Sequence, residues 1–288
     1  PGVAPAAKII PVKVCEPHGC WSSAINAGVD YVTTLKNANP NQPIVLNASL
    51  GGPTLEPVEK AGLDAAVLAG VVVVASAGNA GDDGMGFPGA YEPVISVGAG
   101  GWTDQWNGYP DKSWWLDDAA ESGVDEVYIV GFSSRQKPGQ YLDVVSTGRY
   151  LLLPYPCAQY YKDGAVSPAT EVRPCAAKAT PDNAAAAPFQ YLFISGTSFS
   201  SPTLAGIVAL MLEKNPTLSN ADAAIGTFED PGTWGSGALE LLLEGIAVPI
   251  APGTVDLTHR EGNPVTETWG PDATGHGWVF ADTAVAAA

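Results

Sequence analysis

Apolar residues in this chain fall into short unbroken runs, separated by longer segments with helical spacing. The runs at 7–14 (AKIIPVKV), 44–50 (IVLNASL), 71–76 (VVVVAS) and 94–98 (VISVG) have the length and β-branched content of strands. Between them, 22–35 spaces Ile25, Val29, Tyr31, Val32 and Leu35 roughly as a helix does, and 55–69 does the same with Ala61, Ala65, Ala66 and Leu68. The strand runs are continuous rather than alternating, so both of their faces must be covered. That pattern predicts an α/β fold: a three-layer α/β/α arrangement around a mostly parallel sheet. After Gly101 the alternation breaks. Insertions are expected near 102–130, 155–188 and 230–264, the first rich in Trp and Asp, the last rich in Gly and Pro. A strongly apolar helix is expected over 203–213, and a final element over 275–287. No internal repeat and no linker is visible, so 1–288 reads as one domain.

Composition narrows the function classes. Hydrophobic residues make up 46% of the 288 and charged ones 15%, enough to bury a large core, which excludes a disordered chain. Thirteen Lys and Arg against thirty Asp and Glu leave a net charge of −17. Such a surface repels phosphate, so neither nucleic acid nor an anionic membrane is an expected partner. The longest apolar runs fall short of the roughly 18 residues that span a bilayer, so no membrane span is expected. No signal peptide is apparent, and the opening Pro1-Gly2-Val3-Ala4-Pro5 reads as the interior of a domain. Four cysteines, none in a C-x-x-C, suggest a secreted protein with the sequential disulfides Cys15–Cys20 and Cys157–Cys175; four free thiols are the alternative.

Three segments carry candidate chemistry. Ser195-Gly196-Thr197-Ser198 opens the apolar helix, where unpaired backbone N–H groups favour a developing anion, so Ser198 is placed as a nucleophile. Pro202 suits the first turn of that helix, where its missing N–H costs nothing. The run 71–76 delivers Ala77-Gly78-Asn79 to the carboxyl end of a buried strand, where open α/β sheets bind ligands and a side-chain amide can donate to an oxyanion. Ser49-Leu50-Gly51-Gly52-Pro53 ends another strand, and its glycines let a peptide approach the backbone. Taken singly, the three also read as an ordinary N-cap, a turn Asn and a strand-ending turn.

Jointly they resemble the subtilase (subtilisin-like serine protease) family. G-T-S-x-x-x-P matches its nucleophile, A-G-N after V-V-V-V-A its oxyanion Asn, and S-L-G-G-P its substrate-binding strand. Gly2–Ile9, Phe87-Pro88-Gly89-Ala90, Phe132-Ser133-Ser134 and 277–287 agree as well. The resemblance implies Ser198 and Asn79 as catalytic residues. It implies Ser49, Leu50, Gly51, Gly52, Ser76, Ala77, Gly78, Gly86 and Thr197 as substrate-binding residues, with Gly86 at the floor of the primary pocket and a cis bond at Phe87–Pro88. Its expected partners are protein or peptide substrates and a propeptide. Structural calcium is frequent in the family, but no metal ligands can be assigned here; Asp82-Asp83 reads as a solvated acidic turn. The related sedolisins carry Asp where this chain has Asn79.

The family's D-S/T-G and H-G-T motifs are missing. His18, His259 and His276 each read as something other than the general base. The simplest expectation is therefore the C-terminal part of a catalytic domain, inactive alone, with a non-catalytic binding module as the alternative. An unrelated α/β hydrolase would need G-x-S-x-G, and Ser200 stands at the second Gly. Asn47-Ala48-Ser49 is a glycosylation sequon expected to stay unmodified in a buried strand.

Overall fold

The computed structural model describes residues 2–16, 19–103, 105, 117–119, 127–156, 189–227, 230–259 and 265–288. It opens with a hairpin of β1 (Cys15–Glu16) and β2 (Gly19–Cys20), then α1 (Ser22–Ala38), β3 (Ile44–Ala48), α2 (Pro57–Leu68), β4 (Val71–Ser76) and β5 (Ile95–Trp102). From α1 to β5 these are the predicted elements, with ends shifted by a few residues; the hairpin is an addition. Next come β6 (Asp117–Ala119), β7 (Val127–Ile129), β8 (Val144–Thr147), β9 (Leu151–Pro156) and β10 (Phe189–Ile194). The chain closes with α3 (Thr197–Lys214), β11 (Ala224–Thr227), β12 (Asp230–Gly235), α4 (Ala238–Ile246), β13 (Gly253–His259), β14 (Val265–Trp269) and α5 (Ala281–Ala287).

The main sheet is parallel along β3–β4–β5–β8, and β7 adds antiparallel to the end of β5. All six residues of β4 are buried, because each face meets helices. Val72 and Val74 pack with α3, α4 and α5 through Leu204, Val208, Leu239, Leu243 and Ala284. Val71, Val73 and Ala75 face α1 and α2 through Val29, Leu63 and Val67. The three-layer expectation holds. Each buried Val contributes about 1.5–3 kcal/mol, so this strand anchors whatever its carboxyl end carries. A smaller sheet, β14–β13–β6, closes a third apolar cluster around Trp269 and Trp278.

Several expectations change. Residues 7–14 form no strand, and Ile9 and Ile10 are exposed; an apolar run becomes a strand only where a neighbour takes up its backbone groups. The excursion expected near 230–264 contains α4, whose Leu239 and Leu243 are fully buried in the core. The insertion near 102–130 is described only in part, and that near 155–188 lies almost wholly outside the described residues, as do Cys157, Cys175 and His18. Cys15 and Cys20 are disulfide-bonded, directly opposed across the hairpin. Their Cα separation of 4.0 Å is below the usual lower bound of about 4.4 Å.

Candidate active site

The carboxyl end of β4 and the start of α3 meet at one place. Helix α3 begins at Thr197, six residues before the apolar run, so Ser198 lies in its first turn and Pro202 within the helix rather than at its start. Gly196, which precedes the helix, has φ 154°, a conformation that favours glycine. Its N–H donates to Gly148 O at 2.8 Å, just past the end of β8.

Asn79 is oriented by Thr197. Its Oδ1 accepts from Thr197 N–H at 2.9 Å and from Thr197 Oγ1 at 2.9 Å. A backbone N–H can only donate, so this bond fixes which end of the amide is oxygen and turns Nδ2 the other way. Nδ2 has no protein acceptor among the described residues, and Asn79 is exposed. The Thr197 hydroxyl also accepts from Gly78 N at 3.3 Å. Thr197 itself is fully buried, so it holds the Asn79 loop rather than facing a ligand. Phe132-Ser133-Ser134 braces the same loop: Ser134 Oγ accepts from Ala80 N at 3.1 Å, and Phe132 O from Gly81 N at 3.0 Å. Of the first N–H groups of α3, Thr197 N is taken by Asn79 and Phe199 N by Gly196 O at 3.0 Å. Ser198 N–H has no partner among the described residues, and a free N–H beside a helix N-terminus stabilises negative charge.

Pro202 has a consequence one turn back. In a regular helix the carbonyl of Ser198 would accept from residue 202, which here has no N–H. Ser49 Oγ donates to Ser198 O instead, at 2.8 Å. Ser49 in turn accepts from Asn47 Nδ2 at 3.0 Å, and Asn47 Oδ1 accepts from Ser201 Oγ at 2.6 Å. The strand expected to bind substrate is thus tied by side chains to the helix that carries Ser198. Asn47, expected to be buried, is exposed at the edge of this network, with its amide nitrogen committed to Ser49.

The two strand ends are joined through the turn at Gly86-Phe87. Gly52 and Phe87 exchange both backbone hydrogen bonds at 2.8 Å, and Gly86 N donates to Ala77 O at 3.0 Å. Gly86 therefore sits at the junction of the two edges, Leu50–Gly52 and Ser76–Gly78. A Cβ on Gly86 would meet Gly52 O at 3.4 Å and Gly51 Cα at 3.8 Å, ordinary contacts. A Cβ on Gly89 would collide with Ser76 O. The Phe87–Pro88 bond is cis, as expected. Ala77 packs in a buried cluster with Met85, Ala90 and Leu142, so its side chain is taken up by the core. Asp82 and Asp83 form an exposed turn, with Asp82 3.7 Å from Arg135 Nε.

A family model described as the subtilase family matches residues 1–227. The chain belongs to the subtilase family. It is 30% identical over 264 residues to serine protease AprX of Bacillus subtilis, covering 83% of this chain and 51% of that protein. It is 30% identical over 223 residues to subtilisin DY of Bacillus licheniformis, covering 76% of this chain and 58% of that protein. The chain thus spans about half the length of the curated relatives it matches. Among solved structures, fervidolysin of Fervidobacterium pennivorans, described as a keratinolytic enzyme related to subtilisin, superposes with a TM-score of 0.60 at 26% identity, over 99% of this chain and 33% of that one. A protease of Pseudoalteromonas arctica superposes with a TM-score of 0.60 at 20% identity, over 99% of this chain and 64% of that one, which speaks for the fold alone.

In this subtilase the predicted Ser198, Asn79, Gly78, Thr197 and Ser49 converge, joined by the hydrogen bonds above. No side-chain base reaches Ser198 Oγ among the described residues. His276 is at the far end of the sheet: its N–H donates to Asp143 O at 2.8 Å, ahead of β8, whereas Gly196, two residues before Ser198, bonds Gly148 behind it. Those five residues of extended chain span about 16 Å. Burial, then the charge of Glu240, holds the Asp143 carboxyl there well above the usual range, and burial pushes Glu240 up to about 7. The Ser49–Ser198 tie was missed by sequence reasoning. The unpaired carbonyl opposite a helix-interior Pro202 was the available signal.

Proposed function

We propose that this chain supplies the nucleophile, oxyanion donors and substrate slot of a secreted serine endopeptidase. The observation that carries this reading is Asn79: its oxygen is taken by Thr197 and its Nδ2 is left open beside the helix that begins at Thr197 and holds Ser198 in its first turn. Ser198 Oγ attacks the scissile carbonyl and gives up its proton to a general base. The developing oxyanion receives Ser198 N–H and Asn79 Nδ2, and one such donor contributes about 2.7–4 kcal/mol to the barrier drop. The base passes its proton to the leaving amine as the C–N bond breaks; water then attacks the acyl ester, its proton taken by the base and returned to Ser198 Oγ as the acid product leaves. The substrate lies extended between Leu50–Gly52 and Ser76–Gly78, held by main-chain bonds, with its side chain over Gly86. A propeptide would bind the same edges. Residues 1–288 form one domain, the C-terminal part of the catalytic unit, and the base and its orienting acid come from a segment of the protein outside it. Isolated, the chain turns over little peptide. Family membership and the S–S-bonded hairpin support an extracellular location; no helix among the described residues is long and apolar enough to cross a membrane.

The test is labelling of the full-length protein with a fluorophosphonate. Stoichiometric modification of Ser198, lost in Ser198→Ala, is expected. A full-length protein that takes no label would instead be a binding module.

A further inference from the structure

The turn that carries Gly86 is anchored twice. Its first anchor is backbone: the paired bonds between Phe87 and Gly52, and the bond from Gly86 N to Ala77 O. The second is the side chain of Tyr91. Ala90 N donates to Gly86 O and Tyr91 N to Pro88 O, both at 2.9 Å, so Tyr91 closes the turn that holds the cis-proline. Its ring is fully buried. Its hydroxyl donates to Asp64 Oδ1 at 2.6 Å and lies 3.1 Å from Ile225 O. A phenol has one proton, and the shorter, charge-assisted bond takes it. Burial, then the bond to Asp64, holds this hydroxyl well above its usual titration range, so it stays a donor.

Lys60 completes the arrangement. Its Nζ donates to Asp64 Oδ2 and to Ile225 O, both at 2.8 Å, and stands 5.1 Å from the centroid of the Tyr91 ring. Trp234 meets the same ring edge-on, with 4.6 Å between centroids. Lys60 and Asp64 belong to α2, Ile225 to β11 and Trp234 to β12, so one side chain ties the turn to a helix and a hairpin distant in sequence. Packing alone does not need the hydroxyl, since a phenylalanine ring fills the same space against Trp234. The hydroxyl adds direction: a hydrogen bond weakens steeply off its axis, whereas apolar burial is non-directional. We propose that Tyr91 is a positioning residue for the floor at Gly86, fixed by Asp64 and Lys60 against the β11–β12 hairpin, and that it sets selectivity for the residue before the cut rather than the chemistry at Ser198. The effect on cleavage rests on the protease reading; the effect on the turn does not.

Tyr91→Phe in the full-length protein tests both. In hydrogen exchange, the amides of Gly86 and Phe87 should exchange about tenfold faster than in the wild type, while those of β4 keep their rates. In cleavage, KM for peptides with a large apolar residue before the cut should rise about tenfold, with kcat held to within about twofold. A displacement near 1 Å costs about 10²-fold, and a loosened turn moves less than that. KM for peptides with Ala before the cut should not change. Asp64→Asn keeps an oxygen for the Tyr91 hydroxyl and should stay near the wild type, and Tyr91→Phe combined with Asp64→Ala should raise KM no further than the worse of the two single variants. Unchanged exchange at Gly86 and Phe87, or a KM rise shared equally by large and small residues, overturns the proposal. Should Tyr91→Phe fail to fold, Asp64→Ala takes its place with the same expected outcomes. A wild-type protein that takes no fluorophosphonate refutes the protease reading instead, and the exchange rates then decide whether Tyr91 positions the turn.

Discussion

Replacing Ser49 by Ala tests whether substrate strand and nucleophile are one unit. The change removes the hydroxyl that donates to Ser198 O at 2.8 Å. Pro202 cannot replace that donor, so the carbonyl is left to water or to nothing. An unsatisfied buried carbonyl costs about 1–3 kcal/mol. This one is only partly buried, so about 1 kcal/mol is expected, a fall in Tm of about 2–4 °C for a domain of this size. The effect on rate should be larger than the effect on stability. Ser198 is in the first turn, and a displacement near 1 Å costs about 10²-fold in rate. In the full-length protein, kcat on a peptide substrate should fall by about 10- to 100-fold, with fluorophosphonate labelling slowed in parallel. Ser49→Thr, which keeps the hydroxyl, should recover most of it. The discriminating variant is Ser49→Ala combined with Pro202→Ala. Alanine at 202 restores a helical N–H for Ser198 O, so the double variant should be faster than Ser49→Ala alone, a coupling that a double-mutant cycle reads directly. Wild-type kcat in Ser49→Ala, or strictly additive losses in the pair, would refute the reasoning.

Asn79→Ala should lower kcat by about 10²–10³-fold with KM nearly unchanged, the range known for the corresponding donor in subtilisin; a loss confined to KM would move Asn79 into ground-state binding. Thr197→Val keeps the shape but leaves Asn79 Oδ1 and Gly78 N each short of a partner, so kcat should fall by about tenfold and Tm should drop, and an unchanged kcat would show that Asn79 is held by other means. Gly86→Val should shift cleavage from large apolar residues to small ones in a peptide library, with the fold intact; an unaltered profile places the pocket elsewhere.

The fold was legible where one strand pattern allowed one answer. Four consecutive Val at 71–74 require cover on both faces, and α1, α2 and α3 provide it. The meeting of the Asn79 and Ser198 segments was legible because both sit where secondary structure ends. Other pairings between distant segments were not. The run at 7–14 has strand composition but no strand neighbour among the described residues. Glu240 and Glu244 look like the solvated face of a helix, and only packing shows that α4 turns them inwards, 97 positions and more beyond Asp143. Pro202 suggested a helix start by local preference, while the helix begins five residues earlier because Asn79 and Gly148 hold Thr197 and Gly196 in place.

The glycines around the cis-proline turn separate what the fold demands from what it leaves open. At Gly89 the backbone leaves no room for any side chain, so that glycine is obligatory for folding. At Gly86 a methyl group would rest in ordinary contact, and at Gly52 it would touch nothing within 4 Å. Neither glycine is required by the protein's own packing, so alanine is accommodated at both. The junction of the two strand ends thereby has room for a methyl group at 52 and 86, while position 89 beside the cis-proline has none.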